Sequence, residues 1–398
     1  MKVKLLNVKY SPNVGDGLLV ECLEQNLRNV DGMQGASSVD LAGRSAYSQS
    51  ARQRETMMWL LESAPNILRP WLARAGLEAK LSLGLRDHYK NALSGADAVV
   101  IGGGNLISDH DLNFPLKLAA ALKEAARFKS KVAIYGCGVS SGWSVAGKKI
   151  MRAALKANPP VHVSVRDDAS KRIWDQLFSE TAHAQAAIVS DPGILASEVY
   201  RFDLSSVSSD RPTAAVGLMS TVAIQYHGFR SLSSDSLVEW YLRLIDDIVE
   251  RGFNVSLFTN GSPEDQRFAS KLWSMLSQHR LLSCMRMIHV SLPIDLCRVV
   301  ANADVVVAFR MHALIAAYSY GKPIIALRWD PKVDAFLQSV GLSDRIVDSN
   351  TSSPKEAAMA MIATWESGID HKVLNGTMLE AKSGIHQLAQ SLKLERTE

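Results

Sequence analysis

The stretch "DVVVAFRMHALIAAYSYGKPIIALRW", residues 304–329, decides the fold. "DVVVA" (304–308) is a short, continuous apolar run, and "KPIIALRW" (322–329) is a second one. Between them "ALIAAYSYG" has the composition of a buried helix. Strand, helix and strand in so few residues predict a βαβ unit. Its strands are parallel and covered on both faces, because an uninterrupted apolar run leaves no polar face for solvent. At the junction stand Arg310 and His312. In an extended segment, residues at i and i+2 point the same way, so these two would share a face and Met311 would take the other. The helix that follows adds its positive N-terminal end.

The same alternation runs outward in both directions. "VKLLNV" (3–8), "ADAVVIGGG" (96–104), "KVAIYGCG" (131–138), "VHVSVRD" (161–167) and "AIVSDP" (187–192) are strand-like, with helical spacing between them. The glycines of "GGGN" and "GCGVSSG" read as loops after their strands. "DLSSVSSDRPT" (203–213) is polar and serine-rich and reads as a linker. "TAAVGLM" (213–219) and "NVSLFTNG" (254–261) then restart the pattern. Gly252 stops one helix, and Ser262 before Pro263 is the expected N-cap of the next. The expected class is α/β, with two Rossmann-like domains whose parallel sheets face a central cleft. The expected boundaries are 1–205, 206–375 and a C-terminal helix over 376–398 that packs back on the first domain.

At 398 residues, 47% hydrophobic and 21% charged, the chain suits two globular domains rather than disorder. A net charge of +4 is mildly basic and fits an anionic substrate; no lysine-rich tail or aromatic-basic array points to nucleic acid. Cys22, Cys137, Cys284 and Cys297 form no CxxC pair and read as reduced thiols of a cytoplasmic protein. The opening apolar run is too short for a signal peptide. Residues 52–78 break the pattern, with Trp59, Trp71 and several arginines. They read either as helices packed on the first domain or as a hairpin facing a membrane or an acceptor.

Neither glycine stretch completes the dinucleotide fingerprint: the third glycine position is Ile107 in one and Ser141 in the other. Their glycines more simply let a ligand or helix approach the backbone. In "NVGDG" (13–17), Asp16 is either a helix cap or a base beside an anion held by the helix amides. "SDHD" (108–111) contains a D-x-D pair, but an acceptor-binding Asp109 is the better reading than a metal site. "VSVRDD" ends a buried strand with Arg166, as "AFRMHAL" does with Arg310. A guanidinium fork matches carboxylate and phosphate oxygens, so two arginines, a histidine and a helix end make a site for a small polyanion. For each residue alone, a structural salt bridge is the competing explanation. Lys332 and Asp330 lie just past the next strand. No G-x-S-x-G, Walker A or H-E-x-x-H motif occurs.

"NVGDG", "IGGGNL", "YGCGV", "VSVRDDAS", "SDPGI" and "FRMHALIAAYSYGKPIIAL" with "DPKV" occur in one order across roughly residues 7–341. In that order they resemble the polysaccharide pyruvyl transferase family. Phe309 departs from the pattern, where a small residue such as serine is expected, and 45–85 has no counterpart. The resemblance implies a GT-B-like fold, phosphoenolpyruvate as donor and a saccharide or lipid-linked oligosaccharide as acceptor. It implies that Arg166, Arg310 and His312, with Lys332 at the rim, hold the donor. His312, Arg310 and Asp16 would carry the chemistry, and Asn13, Asp16, Gly103, Asn105 and Asp109 would face the acceptor. No metal or cofactor is expected, and the acceptor would bring the protein to the inner face of a membrane. Two rivals remain: a GT-B glycosyltransferase using a nucleotide sugar, and a non-catalytic sugar- or phosphate-binding protein.

Overall fold

The computed structural model describes residues 1–47, 69–203, 210–226, 233–278 and 280–394. Trp59, the side chain of Trp71 and the middle of the serine-rich linker lie outside the described residues. Among these residues, twelve strands form two six-stranded sheets, and every pairing is parallel. The first sheet holds β1 (Lys2–Asn7), β2 (Gly35–Asp40), β3 (Ala98–Ile107), β4 (Lys131–Val139), β5 (His162–Val165) and β6 (Ala187–Ile188), in the order β2-β1-β3-β4-β5-β6. The second holds β7 (Thr213–Gly217), β8 (Asn254–Phe258), β9 (Met285–Met287), β10 (Val305–Ala308), β11 (Ile324–Leu327) and β12 (Ile346–Val347), in the order β12-β11-β10-β7-β8-β9. Among the described residues, no helix is long and apolar enough to cross a membrane.

The chain divides into two compact units. One comprises Met1–Ser11, Leu19–Pro192 and Leu379–Glu398; the other comprises Pro12–Leu18 and Gly193–Met378. The first turn of the helix Val14–Arg28 therefore counts with the second sheet, and the rest of that helix with the first. In the first unit, the end of the helix His371–Lys393 is fastened to the sheet: Lys131 Nζ donates to the Leu392 carbonyl at 2.8 Å, and His162 Nδ1 meets Ser391 Oγ at 3.3 Å.

The glycine stretches are strand rather than loop, except at 140–142, which follow β4. Gly102–Gly104 lie inside β3 and Gly136–Gly138 inside β4. The expected loop reading fails because glycine can stay in a ladder at an irregularity, and the β3–β4 register shifts between Gly104 and Ile107. A Cβ on Gly103 (φ +85°) would lie 3.0 Å from Val20 Cγ2, and one on Gly102 3.0 Å from Leu23 Cδ2. These glycines let the helix Val14–Arg28 approach the strand.

Candidate active site

In a parallel sheet, ligands bind outside the carboxyl ends of the strands, where the strand order reverses. In the second sheet that point lies between β7, which leads on to β8 and β9, and β10, which leads away to β11 and β12. Gly217 of β7 pairs with Ala308 of β10 at these ends. Arg310 stands two residues beyond, as the N-cap of the helix Met311–Ser319, with extended backbone angles.

Arg310 is held by a residue that sequence reasoning missed. Its Nε donates to Asp265 Oδ2 at 3.0 Å, and its Nη2 donates to the same oxygen and to Ser262 Oγ at 3.4 Å. Asp265 Oδ1 accepts the Ser220 backbone N–H at 2.9 Å. The Asp265 side chain is fully buried and that of Arg310 is 12% exposed. Breaking a buried pair of this kind costs about 3–5 kcal/mol, because the survivor is left charged without a partner. The salt-bridge explanation thus accounts for two of the three guanidinium nitrogens. Among the described residues, Nη1 makes no hydrogen bond to protein. Ser262 is the N-cap residue, as expected, but its hydroxyl receives Arg310 and does not cap. The signal for Asp265 was an acidic residue in the first turn of a helix beginning just after β8; its burial is tertiary and leaves no mark in the sequence.

His312 is already helical. The expected alternation across Arg310, Met311 and His312 therefore does not apply, because the helix starts two residues earlier than its apolar run suggests. His312 Nδ1 lies 3.7 Å from Asp16 Oδ1, with the two side chains 11% and 20% exposed. That separation is an ion pair when the imidazole is protonated, and too long for a strong hydrogen bond. Gly15 sets it. A Cβ at Gly15 would fall 2.5 Å from His312 Cβ and 2.6 Å from Nδ1, so no larger residue fits. The turn carrying Asn13 and Asp16 is anchored by the Val14 N–H to the Asn260 carbonyl at 2.9 Å. Asn13 Oδ1 accepts the Gly15 N–H at 3.3 Å.

Lys332 Nζ pairs with Asp330 at 2.9 Å and sits 4.3 Å from the centroid of the Trp329 ring. The Arg310 guanidinium carbon lies 5.8 Å from the same centroid, so one indole serves two cations. Trp329 Nε1 donates to the Phe309 carbonyl. Phe309 itself is fully buried, with its ring edge-on to Tyr241 at 6.2 Å. It is a core residue, which accounts for an aromatic beside Arg310.

The remaining expected residues belong to the first unit. A Cβ on Gly138 would meet Asn105 Oδ1 at 2.4 Å and Arg166 Nη2 at 2.6 Å, so these three are in contact. Asn105 Nδ2 donates to Ser140 Oγ at 2.8 Å. Arg166 Nε donates to Asp167 Oδ2 at 3.2 Å, and Asp167 caps the helix Asp168–Leu177. Below Arg166, burial pushes the Cys137 thiol up to about 12, and the guanidinium offsets this only in part. Cys137 is therefore no nucleophile at neutral pH. Asp109 accepts from the Ser144 N–H at 2.9 Å, the Ser144 hydroxyl at 2.6 Å and the Leu112 N–H at 3.1 Å. It ties a turn to the start of the helix Val145–Ala157. Gly103 serves helix packing, as above. The structure thus groups Asn13, Asp16, Arg310, His312 and Lys332 in one unit, and Gly103, Asn105, Asp109 and Arg166 in the other.

Similarity to known proteins agrees with this architecture. The chain is similar over its full length to the UDP-GlcNAc 2-epimerase of Methanocaldococcus jannaschii (TM-score 0.55, 12% identity, 98% of this chain and 99% of that one). The UDP-GlcNAc 2-epimerase of Neisseria meningitidis, bound to UDP-GlcNAc, gives a TM-score of 0.56 at 12% identity, covering 98% and 99%. The glycotransferase of kitacinnamycin gives 0.52 at 11%, covering 98% and 99%. At these identities the likeness shows the fold alone, which is α/β and GT-B-like. No curated protein matches the chain. The family model for polysaccharide pyruvyl transferase matches residues 13–331, a span that runs from Asn13 to Pro331 and takes in Asp16, Arg166, Arg310 and His312. The chain belongs to the polysaccharide pyruvyl transferase family.

Proposed function

We propose that the chain transfers pyruvate from phosphoenolpyruvate to two hydroxyls of a saccharide, forming a ketal and releasing phosphate. The observation that carries this reading is Arg310, fixed by buried Asp265 beside the His312–Asp16 pair at the switch point of the second sheet. Phosphoenolpyruvate is acceptor-only at neutral pH, and the Nη1 edge of Arg310 with the N-terminus of the helix Met311–Ser319 supplies donors and positive potential for it. Lys332 adds a second cation nearby.

His312, as imidazolium, gives its proton to the methylene carbon, and the adjoining carbon becomes cationic. One sugar hydroxyl forms a C–O bond there, losing its proton to Asp16. The C–O bond to phosphate then breaks, and the second hydroxyl closes the ketal as its proton leaves with the phosphate. One hydroxyl proton thus replaces that spent on carbon, and the other departs with phosphate. Asp16 Oδ1, 3.7 Å from Nδ1, is the carboxylate oxygen that faces the imidazolium this step uses. A general acid of this kind contributes roughly 10²–10⁴ in rate.

The experiment is phosphate release from phosphoenolpyruvate with a panel of glycans, run beside UDP-sugars with the same panel. Release that needs both phosphoenolpyruvate and a glycan is expected. UDP release alone selects a glycosyltransferase, and silence in both selects a non-catalytic binder.

A further inference from the structure

Beside the candidate site, three buried side-chain atoms make no hydrogen bond among the described residues: Asn260 Oδ1, Asn260 Nδ2 and Ser220 Oγ. Asn260 is 1% exposed and Ser220 5%. Both stand past the carboxyl ends of neighbouring strands: Asn260 two residues after Phe258 of β8, Ser220 three after Gly217 of β7, and Phe258 and Gly217 are partners in the ladder. The backbone of each is occupied by the site. The Asn260 carbonyl holds Val14, one residue from the glycine that meets His312, and the Ser220 N–H binds the carboxylate that fixes Arg310. Gly261, at φ +92°, lies so close that its Cβ would be 2.8 Å from the Pro12 carbonyl oxygen.

A buried polar atom without a partner is a cost, and native structures keep few of them. The chemistry of these three narrows what would satisfy them. Nδ2 needs an acceptor, Oδ1 needs a donor, and Ser220 Oγ can use either. Phosphoenolpyruvate offers acceptors only and would leave Oδ1 unmatched. A sugar hydroxyl donates and accepts at once. We infer that Asn260 and Ser220 form the subsite that binds the reacting hydroxyls of the saccharide. This rests on the reading above and names residues for the acceptor that no motif marks. Enclosure suits the chemistry, because the cationic donor carbon must meet a hydroxyl in place of water.

Asn260→Leu keeps the heavy-atom count and branching, in a larger side chain, and removes both orphaned atoms; Ser220→Ala removes the third. The midpoint of thermal unfolding should hold or rise in each variant. With whichever glycan supports phosphate release, KM for the glycan should rise about tenfold or more per lost hydrogen bond while KM for phosphoenolpyruvate stays within about twofold. A fall in the unfolding midpoint, an unchanged glycan KM, or equal changes in both constants overturns the inference. A second measurement needs no turnover. Saturation-transfer NMR with methyl β-galactopyranoside and methyl β-glucopyranoside on the full chain should give a signal that Asn260→Leu loses. Identical signals, or none with either protein, overturn the subsite. Absence of phosphate release by the unaltered protein counts instead against the pyruvyl transfer reading.

Discussion

The carboxyl ends of the two sheets are built from different materials. In the first unit they are built from glycine: Gly102, Gly103 and Gly138 bring a helix, Asn105 and Arg166 against bare backbone. The carboxylate of Asp109 there serves the amides at two helix openings, Ser144 and Leu112. In the second unit the end is built from charge. Asp265 occupies the first turn of its helix, yet its carboxylate turns inward to a guanidinium. The difference separates two uses of an aspartate that look alike in sequence. One whose partners are helix amides sets local structure, and one that orients a cation at a switch point sets a site.

His312→Ala should break the second unit's function most, lowering turnover by roughly 10²–10⁴ with the unfolding transition unchanged. Near-normal turnover would move the chemistry elsewhere. Asp265→Ala should cost about 3–5 kcal/mol in denaturant unfolding, since Arg310 loses its buried partner and the Ser220 N–H its acceptor. Gly15→Ala drives a methyl into His312 and should cost about 1–3 kcal/mol in transition-state stabilisation or folding, read as kcat/KM alongside unfolding. Asp109→Ala, the counterpart in the first unit, should cost about 1 kcal/mol of stability, as lost caps do, with turnover largely kept. A turnover loss as deep as that of His312→Ala would erase the contrast between the units.

Lys117 gives the smallest effect, and one that depends on pH. Burial, reinforced by the Arg44 and Lys80 charges, holds its ammonium down to about 8 from the ordinary 10.5. The folded state therefore prefers the neutral amine. The resulting destabilisation is complete below about pH 8 and fades as pH rises toward 10.5. Lys117→Met should raise the unfolding midpoint at pH 7 and change it little at pH 10.5; an equal rise at both would show that packing alone is responsible.

The central strands were legible because their runs are apolar without interruption: "VVV" in β10 and "AVVI" in β3 allow little else. The edges were not. β2 reads "GASSVD", and its serines are matched only by tertiary partners: Lys4 Nζ on Ser37, Asn7 Nδ2 on Ser38 and Ser38 Oγ on Glu24. β9 and β12, at the two edges of the second sheet, have three and two residues, too few for any period to show. Arg310, His312 and Asp16 were legible because strand-end position is a property of local sequence. Asp265 lies 45 residues from Arg310, and Asn260 and Ser220 differ from ordinary loop residues only in what surrounds them. Such partners are chosen by the fold.

Pyruvyl transfer at the end of the second sheet is tested most directly by following one reaction with two readouts. The protein is incubated with phosphoenolpyruvate and a glycan panel, with phosphate measured and the glycan product examined by NMR for the methyl resonance of a pyruvate ketal. The unaltered protein should release phosphate only when a suitable glycan is present, with one ketal formed per phosphate, and His312→Ala should lose both together. Phosphate without ketal, or ketal formation undiminished in His312→Ala, would contradict the account.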